Sequence, residues 1–365
     1  MLKLPGRGKK SVKKPLILSP YKQIFSKVEE NKIERDAIKK KIFVDRDPSK
    51  KAYGALKLQG IEKSFGRHKV LYGVNLDVKP GKIIGIIGVS GSGKTTILRL
   101  VIGYYKPNSG TITFNGINIR KQMNVIDKNF GFATQENSFY KDLTVEENVR
   151  FFGKLYGLTE KFLENNVDSV LDLVELYEAK KALARNLSGG MQRRLDLACS
   201  MIHDPSVLIL DEPTEDLDPL LRAEMLGLIK KINNKGTTVI FTTHLLDEAE
   251  FLCDEVAIIA NGKILSVGTP NDLRKLYSSN DTIHLMLENG NYEKYKTNLK
   301  SYKTVIENNK LIVQLAKNEN SVSALKKILN LVEKNKDKIV FADIRKPSLS
   351  EVFSGLTKYA RKNKE

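Results

Sequence analysis

Cysteine is scarce in this chain of 365 residues, which contains only Cys199 and Cys253. Two thiols so far apart offer neither a disulfide framework nor a metal cluster, and they fit a protein that works in a reducing cytosol. Long hydrophobic runs are missing too. No stretch approaches the roughly 18 consecutive apolar residues that span a bilayer, so the chain is not expected to cross a membrane unaided. Met1 to Lys14 is too basic, and too broken by proline and glycine, to form the apolar core of a signal peptide. Acidic residues are in short supply as well, with 43 Asp and Glu against 61 Lys and Arg and a net charge of +18. The surplus is uneven: residues 1–51 hold 16 Lys and Arg against 6 Asp and Glu. More than half of the excess thus lies in an N-terminal extension, and the rest of the chain is only mildly basic.

What remains suffices for a sizeable core. Apolar residues make up 41% of the sequence, near the globular norm, and the length suits two or three domains. Residues 1–52 read as a basic, mostly flexible extension punctuated by Pro5, Pro15, Pro20 and Pro48. Its helical candidate runs from Tyr21 to Ile42, where Tyr21, Ile24, Phe25 and Val28 recur at helical spacing. That pattern suits a contact with anionic lipid headgroups; a solvated tail and a nucleic-acid arm are the other readings.

The most informative stretch is Gly88-Val89-Ser90-Gly91-Ser92-Gly93-Lys94-Thr95-Thr96, which has the spacing G-x-x-x-x-G-K-[ST] of a phosphate-binding loop. The apolar run Ile83 to Ile87 before it and the helix-period sequence Thr96 to Ile102 after it place the loop between a buried strand and a helix start. Glycines let successive N–H groups point inward at α- and β-phosphates, and the helix N-terminus adds partial positive charge. Lys94 would reach the β- and γ-phosphates, and the Thr95 hydroxyl a Mg²⁺ ion.

Around this loop the patterns alternate between strand and helix. Leu56 to Ser64, Val70 to Val78 and Gly110 to Ile119 alternate as an antiparallel sheet would. Between Thr144 and Ala184 the period turns helical, opening on the capping box Thr144-Val-Glu-Glu147. Val207 to Leu210 and Thr238 to Thr242 are β-branched runs separated by a helical segment, as in a parallel sheet with crossover helices. The strand Val207-Leu-Ile-Leu ends in Asp211 and Glu212, which places two carboxylates at the edge where open α/β sheets bind ligands. Asp211 would hold Mg²⁺ through water, and Glu212 would orient or deprotonate an attacking water. Leu187-Ser188-Gly189-Gly190-Met191-Gln192, followed by helical sequence from Arg193 to Ile202, makes a second anion-binding helix start. One γ-phosphate does not need two such sites, so a second copy of the chain is expected, its Ser188 and Gly190 closing over the phosphate held by Lys94 of the first. In the last ninety residues the order of strand-like and helical segments is β-α-β-β-α-β, the pattern of a small ferredoxin-like domain, with a further helix expected from Ser348 to Tyr359.

Taken together, residues 55–275 resemble the ATP-binding cassette family, with its motifs present in order. The resemblance implies an α/β fold of the P-loop NTPase type: a RecA-like parallel core, an antiparallel β subdomain and a helical insert at about 136–185. The corresponding organisation is an extension at 1–52, an ATPase domain at 53–275 and a regulatory or dimer-stabilising domain at 276–365. It also implies that Phe65 stacks on adenine, and that Gln135 senses Mg²⁺ and γ-phosphate while touching a transmembrane partner. Further, Glu215-Asp-Leu-Asp218 would cross the dimer interface, and His244 would hydrogen-bond the γ-phosphate. Where the family usually has Ser-Gly, this chain has Glu215-Asp216. Leu195-Asp-Leu-Ala198, His203-Asp-Pro205 and Pro347-Ser-Leu-Ser-Glu-Val-Phe353 are similar to ATP-binding subunits of multidrug and daunorubicin-resistance exporters. ATP and Mg²⁺, a head-to-tail homodimer, a separate integral-membrane permease and a peripheral position on the cytoplasmic face of the cell membrane follow from that likeness. The competing expectation is a soluble cassette ATPase acting on ribosomes or nucleic acid, which the absence of a second cassette or a long insert disfavours.

Overall fold

Alternating apolar residues make β1 (Leu56–Phe65) and β2 (His68–Val78) a hairpin that buries Leu56, Leu58 and Ile61 beside Leu71, Val74 and Leu76. In the computed structural model the described residues are 54–356, apart from 278–280, 289–290, 308, 317–318, 346–348, 351 and 354–355. The N-terminal extension and the helix expected at Tyr21–Ile42 lie outside them.

After the hairpin comes β3 (Ile83–Ile87), five apolar residues buried on both faces, as a central parallel strand requires. The phosphate loop then leads into α1 (Lys94–Val101). β4 (Ser109–Phe114) and β5 (Ile117–Asn118) complete a four-stranded sheet in the order β2-β1-β4-β5. A turn at Asn115 and Gly116, with φ of 49° and 80°, interrupts the alternation expected to run unbroken to Ile119. Next, α2 (Asn124–Asn129) delivers the chain to β6 (Phe130–Ala133).

Two helices follow, α3 (Val145–Leu155) and α4 (Glu160–Leu173). The first begins at the expected capping box: Thr144 N–H donates to Glu147 Oε2 at 2.8 Å and Glu147 N–H to Thr144 Oγ1 at 3.2 Å. Then come α5 (Gly189–Met201), β7 (Val207–Asp211), α6 (Pro219–Asn234), β8 (Thr238–Thr243), α7 (Leu246–Leu252), β9 (Glu255–Ala260), β10 (Lys263–Gly268) and α8 (Pro270–Tyr277). The second sheet runs β10-β9-β3-β8-β7-β6, with every neighbouring pair parallel except the edge pair β10–β9. Its two faces feed two cores. Ile84, Ile86, Ile209 and Ile240 pack with α1 and the antiparallel sheet, while Ile83, Leu208, Leu210 and Phe241 pack with α5, α6 and the helical insert.

The remaining elements are β11 (Thr282–Leu287), α9 (Glu293–Asn298), β12 (Lys303–Glu307), β13 (Lys310–Gln314), α10 (Ser321–Lys334) and β14 (Ile339–Arg345). They form an antiparallel sheet in the order β12-β13-β11-β14, the ferredoxin-like arrangement. Tyr295, Ile328 and Val332 of its helices bury Ile283, Leu285, Leu311 and Val313.

Beyond β14 the described residues of the expected terminal helix return to the six-stranded sheet. Leu349, Val352 and Leu356 are buried with Ile87, Ala249, Val256 and Leu273, and Leu349 N–H donates to Glu250 Oε1 at 2.8 Å. Leu349→Ala is therefore expected to destabilise the protein by about 2–4 kcal/mol, read from urea unfolding; an unchanged midpoint would mean that this packing is not part of the core.

Candidate functional site

The parallel register puts Ile87 of β3 opposite Thr243 of β8, and Asp211 of β7 opposite Thr242. Whatever follows these strands therefore emerges at one edge of the sheet. The loop at that edge tolerates no side chain at two positions. A Cβ on Gly88 would lie 2.4 Å from Ser92 Oγ and 2.6 Å from the Ile259 carbonyl oxygen, and one on Gly93 would lie 2.7 Å from Leu71. Gly91 and Gly93 also hold φ of 74° and 108°, in the left-handed region that glycine favours. Val89 and Ser90 are exposed on the outer turn, Thr95 and Thr96 occupy the first turn of α1, and Ser92 is buried with no hydrogen-bond partner for its hydroxyl among the described residues.

Lys94 is 5% exposed, and its ammonium donates to the Gly88 carbonyl at 2.9 Å and contacts Glu212 Oε1 at 3.1 Å. His244 Nδ1 lies 2.7 Å from Glu212 Oε2. A carboxylate accepts only, so Nδ1 is the donor. Glu212 has φ of 47°, a strained value for a side-chain-bearing residue, and its N–H donates to Thr242 Oγ1 at 3.0 Å. The same hydroxyl donates to Asp211 Oδ1 at 2.6 Å, so one threonine holds both carboxylate residues. Burial works against ionisation of Glu212, but the His244 hydrogen bond and the Lys94 charge outweigh it and hold the carboxyl below the ordinary glutamate value.

The other expected residues lie in three places. Gln135, exposed just after β6, donates from Nε2 to Glu215. Phe65 is half exposed at the end of β1 and packs edge-on against Tyr105 with ring centroids 4.9 Å apart. Ser188 caps α5, its Oγ accepting from Met191 N at 3.3 Å. That cap starts the helix at Gly189, so both glycines lie within its first turn rather than ahead of it. A Cβ on Gly190 would be 3.2 Å from Leu221 of α6, whose N-cap is Asp218. Among the described residues no hydrogen bond or ion pair joins Ser188, Gly189, Gly190 or Asp218 to the phosphate loop of the same chain.

Residues 71–215 match the family model described as ABC transporter. The linearmycin resistance ATP-binding protein LnrL of Bacillus subtilis (strain 168) is 32% identical over 308 residues, which cover 83% of this chain and 98% of that protein. The chain belongs to the ABC transporter family. The daunorubicin resistance ATP-binding protein DrrA3 of Streptomyces coeruleorubidus is 31% identical over 312 residues, covering 85% of this chain and 98% of its own length. Among solved structures, cbiO1 of Clostridium perfringens, described as part of the ABC transporter complex cbiONQ, matches with a TM-score of 0.57 and 28% identity over 61% of this chain and 94% of that chain. The chain is thus the ATP-binding, ATP-hydrolysing subunit of an ABC transporter with the P-loop NTPase fold, and a ribosomal or nucleic-acid role finds no support among these relatives. No helix among the described residues is long and apolar enough to cross a membrane.

Several residues of this ABC subunit's site escape a motif search. Thr242 was legible only as a strand residue; its register opposite Asp211 is what gives it two partners. Glu248 is fully buried, and its carboxylate accepts from Thr214 Oγ1 and Thr243 Oγ1, both at 2.7 Å, tying the residue before His244 to the segment after Glu212. Burial pushes the Glu248 carboxyl up despite those hydrogen bonds.

The depressed carboxyl of Glu212 sets a pH dependence. A group whose folded-state pKa lies below its unfolded value stabilises the fold above that unfolded value and loses the contribution as pH falls through the folded one. Between pH 6 and pH 3, roughly the span across the carboxylate range, stability should fall more steeply for the wild type than for Glu212→Gln, as read by urea unfolding at each pH; parallel curves would contradict the Lys94–Glu212–His244 contacts.

Proposed function

We propose that two copies of this chain assemble head to tail on ATP and drive export through a separate integral-membrane permease from its cytoplasmic face. Residues 53–275 act as the ATPase unit, and residues 276–365 as an accessory unit that stabilises or regulates the dimer. The contact of Lys94, Glu212 and His244 at one sheet edge carries this reading, because it assembles a phosphate-binding cation, a general base and a partner for that base.

In the proposed cycle the backbone amides of Gly88–Thr96 and the Lys94 ammonium bind the phosphates of ATP, and Phe65 faces the adenine. The donor set suits an anion, since it offers an unpartnered buried Ser92 hydroxyl and a buried ammonium. It also suits Mg²⁺ arriving with the nucleotide: Thr95, Gln135 and Asp211 supply oxygens, and the described residues contain no cluster of three or more His, Cys, Asp or Glu that would hold a metal alone. When bound, Mg²⁺ would neutralise charge on the phosphate oxygens. Glu212 accepts a hydrogen bond from the attacking water and orients it, and His244 keeps Glu212 aimed and reaches the γ-phosphate. Ser188, Gly189 and Gly190 of the second copy close over the same phosphate, with Asp218 at the interface.

Glu212→Gln is expected to bind ATP and dimerise while turning over about a hundredfold or more slowly, as measured by phosphate release and size-exclusion chromatography with ATP. Turnover at the wild-type rate would remove the assigned role of Glu212. The basic extension suggests contact with anionic lipid, where each lysine or arginine near the surface contributes about 1 kcal/mol. The full chain should co-sediment with vesicles of anionic phosphatidylserine but not with neutral phosphatidylcholine, and deletion of residues 1–51 should abolish the difference; equal sedimentation with both would exclude lipid recognition.

A further inference from the structure

Asp196, part of the sequence Leu195-Asp-Leu-Ala198, takes no part in the site described above, yet it is 2% exposed. Its Oδ1 accepts from the Ser138 backbone N–H at 2.9 Å and from Ser138 Oγ at 2.6 Å. Its Oδ2 has no hydrogen-bond partner among the described residues, and the residue lines a void of about 10 Å³ with Thr134, Arg193, Leu210 and Pro213. Removing a carboxylate from water and leaving one oxygen unsatisfied is unfavourable, and a buried apolar side chain here would serve stability better. The residue therefore needs a reason other than stability.

Its neighbours on α5 supply one. Gln192 Oε1 accepts from Asn137 Nδ2 at 3.1 Å, and Arg193 Nη1 donates to the Thr134 carbonyl at 3.2 Å. Positions 192, 193 and 196 lie within a turn of one another, so three side chains of one helix grip Thr134, Asn137 and Ser138, on either side of Gln135. The helix that grips this loop carries Ser188–Gly190 at its N-terminus. Gln192 Nε2 also donates to the Leu187 carbonyl at 3.1 Å, directly ahead of Ser188.

We propose that Asp196 is a positioning residue for ATP hydrolysis, fastening the Gln135 loop to α5 so that Gln135 and Ser188–Gly190 move as one unit. The inference rests on the roles given above to Gln135 and Ser188 in a head-to-tail dimer. In that dimer the two belong to different composite sites, so the fastening passes a displacement at one ATP to the other. The Ser138 hydroxyl and amide need an oxygen acceptor at Asp196 Oδ1; the charge on the other oxygen is dispensable for this purpose.

The test compares full-length Asp196→Ala, Asp196→Asn and Ser138→Ala with the wild type in steady-state ATPase, nucleotide binding and ATP-driven dimerisation. Loss of both hydrogen bonds in Asp196→Ala should lower kcat about tenfold, and loss of one in Ser138→Ala about threefold. Both should keep ATP affinity and dimerisation within about twofold of wild type, the margin expected for a group that acts on turnover rather than on uniform binding. Asp196→Asn, whose amide oxygen keeps both bonds, should stay within about twofold of wild-type kcat. Adding Ser138→Ala to Asp196→Ala should cost nothing further, because both cut the same link. Wild-type kcat in Asp196→Ala and Ser138→Ala would overturn the proposal, as would an Asn variant as impaired as the Ala variant. If Asp196→Ala does not fold, Ser138→Ala, a change at an exposed position, decides alone. A chain that stays monomeric with ATP, wild type and Glu212→Gln alike, would instead sink the dimer reading on which the inference rests.

Discussion

A lysine ammonium with 5% exposure has to be neutralised and hydrogen-bonded, and much of the architecture around the site answers to that need. Lys94 finds the Gly88 carbonyl because the loop doubles back through glycine conformations, and it finds Glu212 because β7 ends at the same sheet edge as β3, with only β8 between them. Glu212, which contacts both Lys94 and His244, leaves the strand with a strained φ of 47°. Thr242 makes the arrangement rigid by binding the Glu212 amide and the Asp211 carboxylate at once.

Around this centre the chain adds layers that differ in what holds them. The parallel sheet is held by apolar packing on both faces, and its strands are accordingly continuous apolar runs. The helical insert is joined to the sheet by apolar contacts, whereas α5, which follows it, holds the Gln135 loop by polar side chains. Its grip on that loop is therefore directional, set by hydrogen-bond geometry, where the apolar packing elsewhere is not.

The buried strands, the phosphate loop and the carboxylate pair were legible because each rests on local pattern: Ile83–Ile87, Gly88–Thr96 and Val207–Glu212 are contiguous. The ferredoxin-like sheet was legible for the same reason, its strands alternating cleanly around Leu285 and Val313. What eluded the sequence depends on register and tertiary approach. Nothing local marks Thr242 as a partner of Asp211, Tyr105 as a neighbour of Phe65, or Glu248 as a tie between Thr214 and Thr243, since these contacts join segments distant in the chain. The missed break at Asn115-Gly116 is different in kind. It is a local turn signal that an alternating pattern on both sides concealed.

Leu349 and Val352 share a buried cluster with Ile87, the last residue before the phosphate loop, although more than two thirds of the chain's length separates them. A growing polypeptide therefore exposes the apolar surface of Ile87, Ala249 and Val256 until the segment beyond β14 has left the ribosome. Contacts of such sequence separation form late, because the intervening chain must be ordered first. During synthesis the nucleotide-binding edge of the sheet is thus the part whose apolar backing is completed last, and a chain halted before residue 349 would carry every phosphate-binding group on an unfinished core.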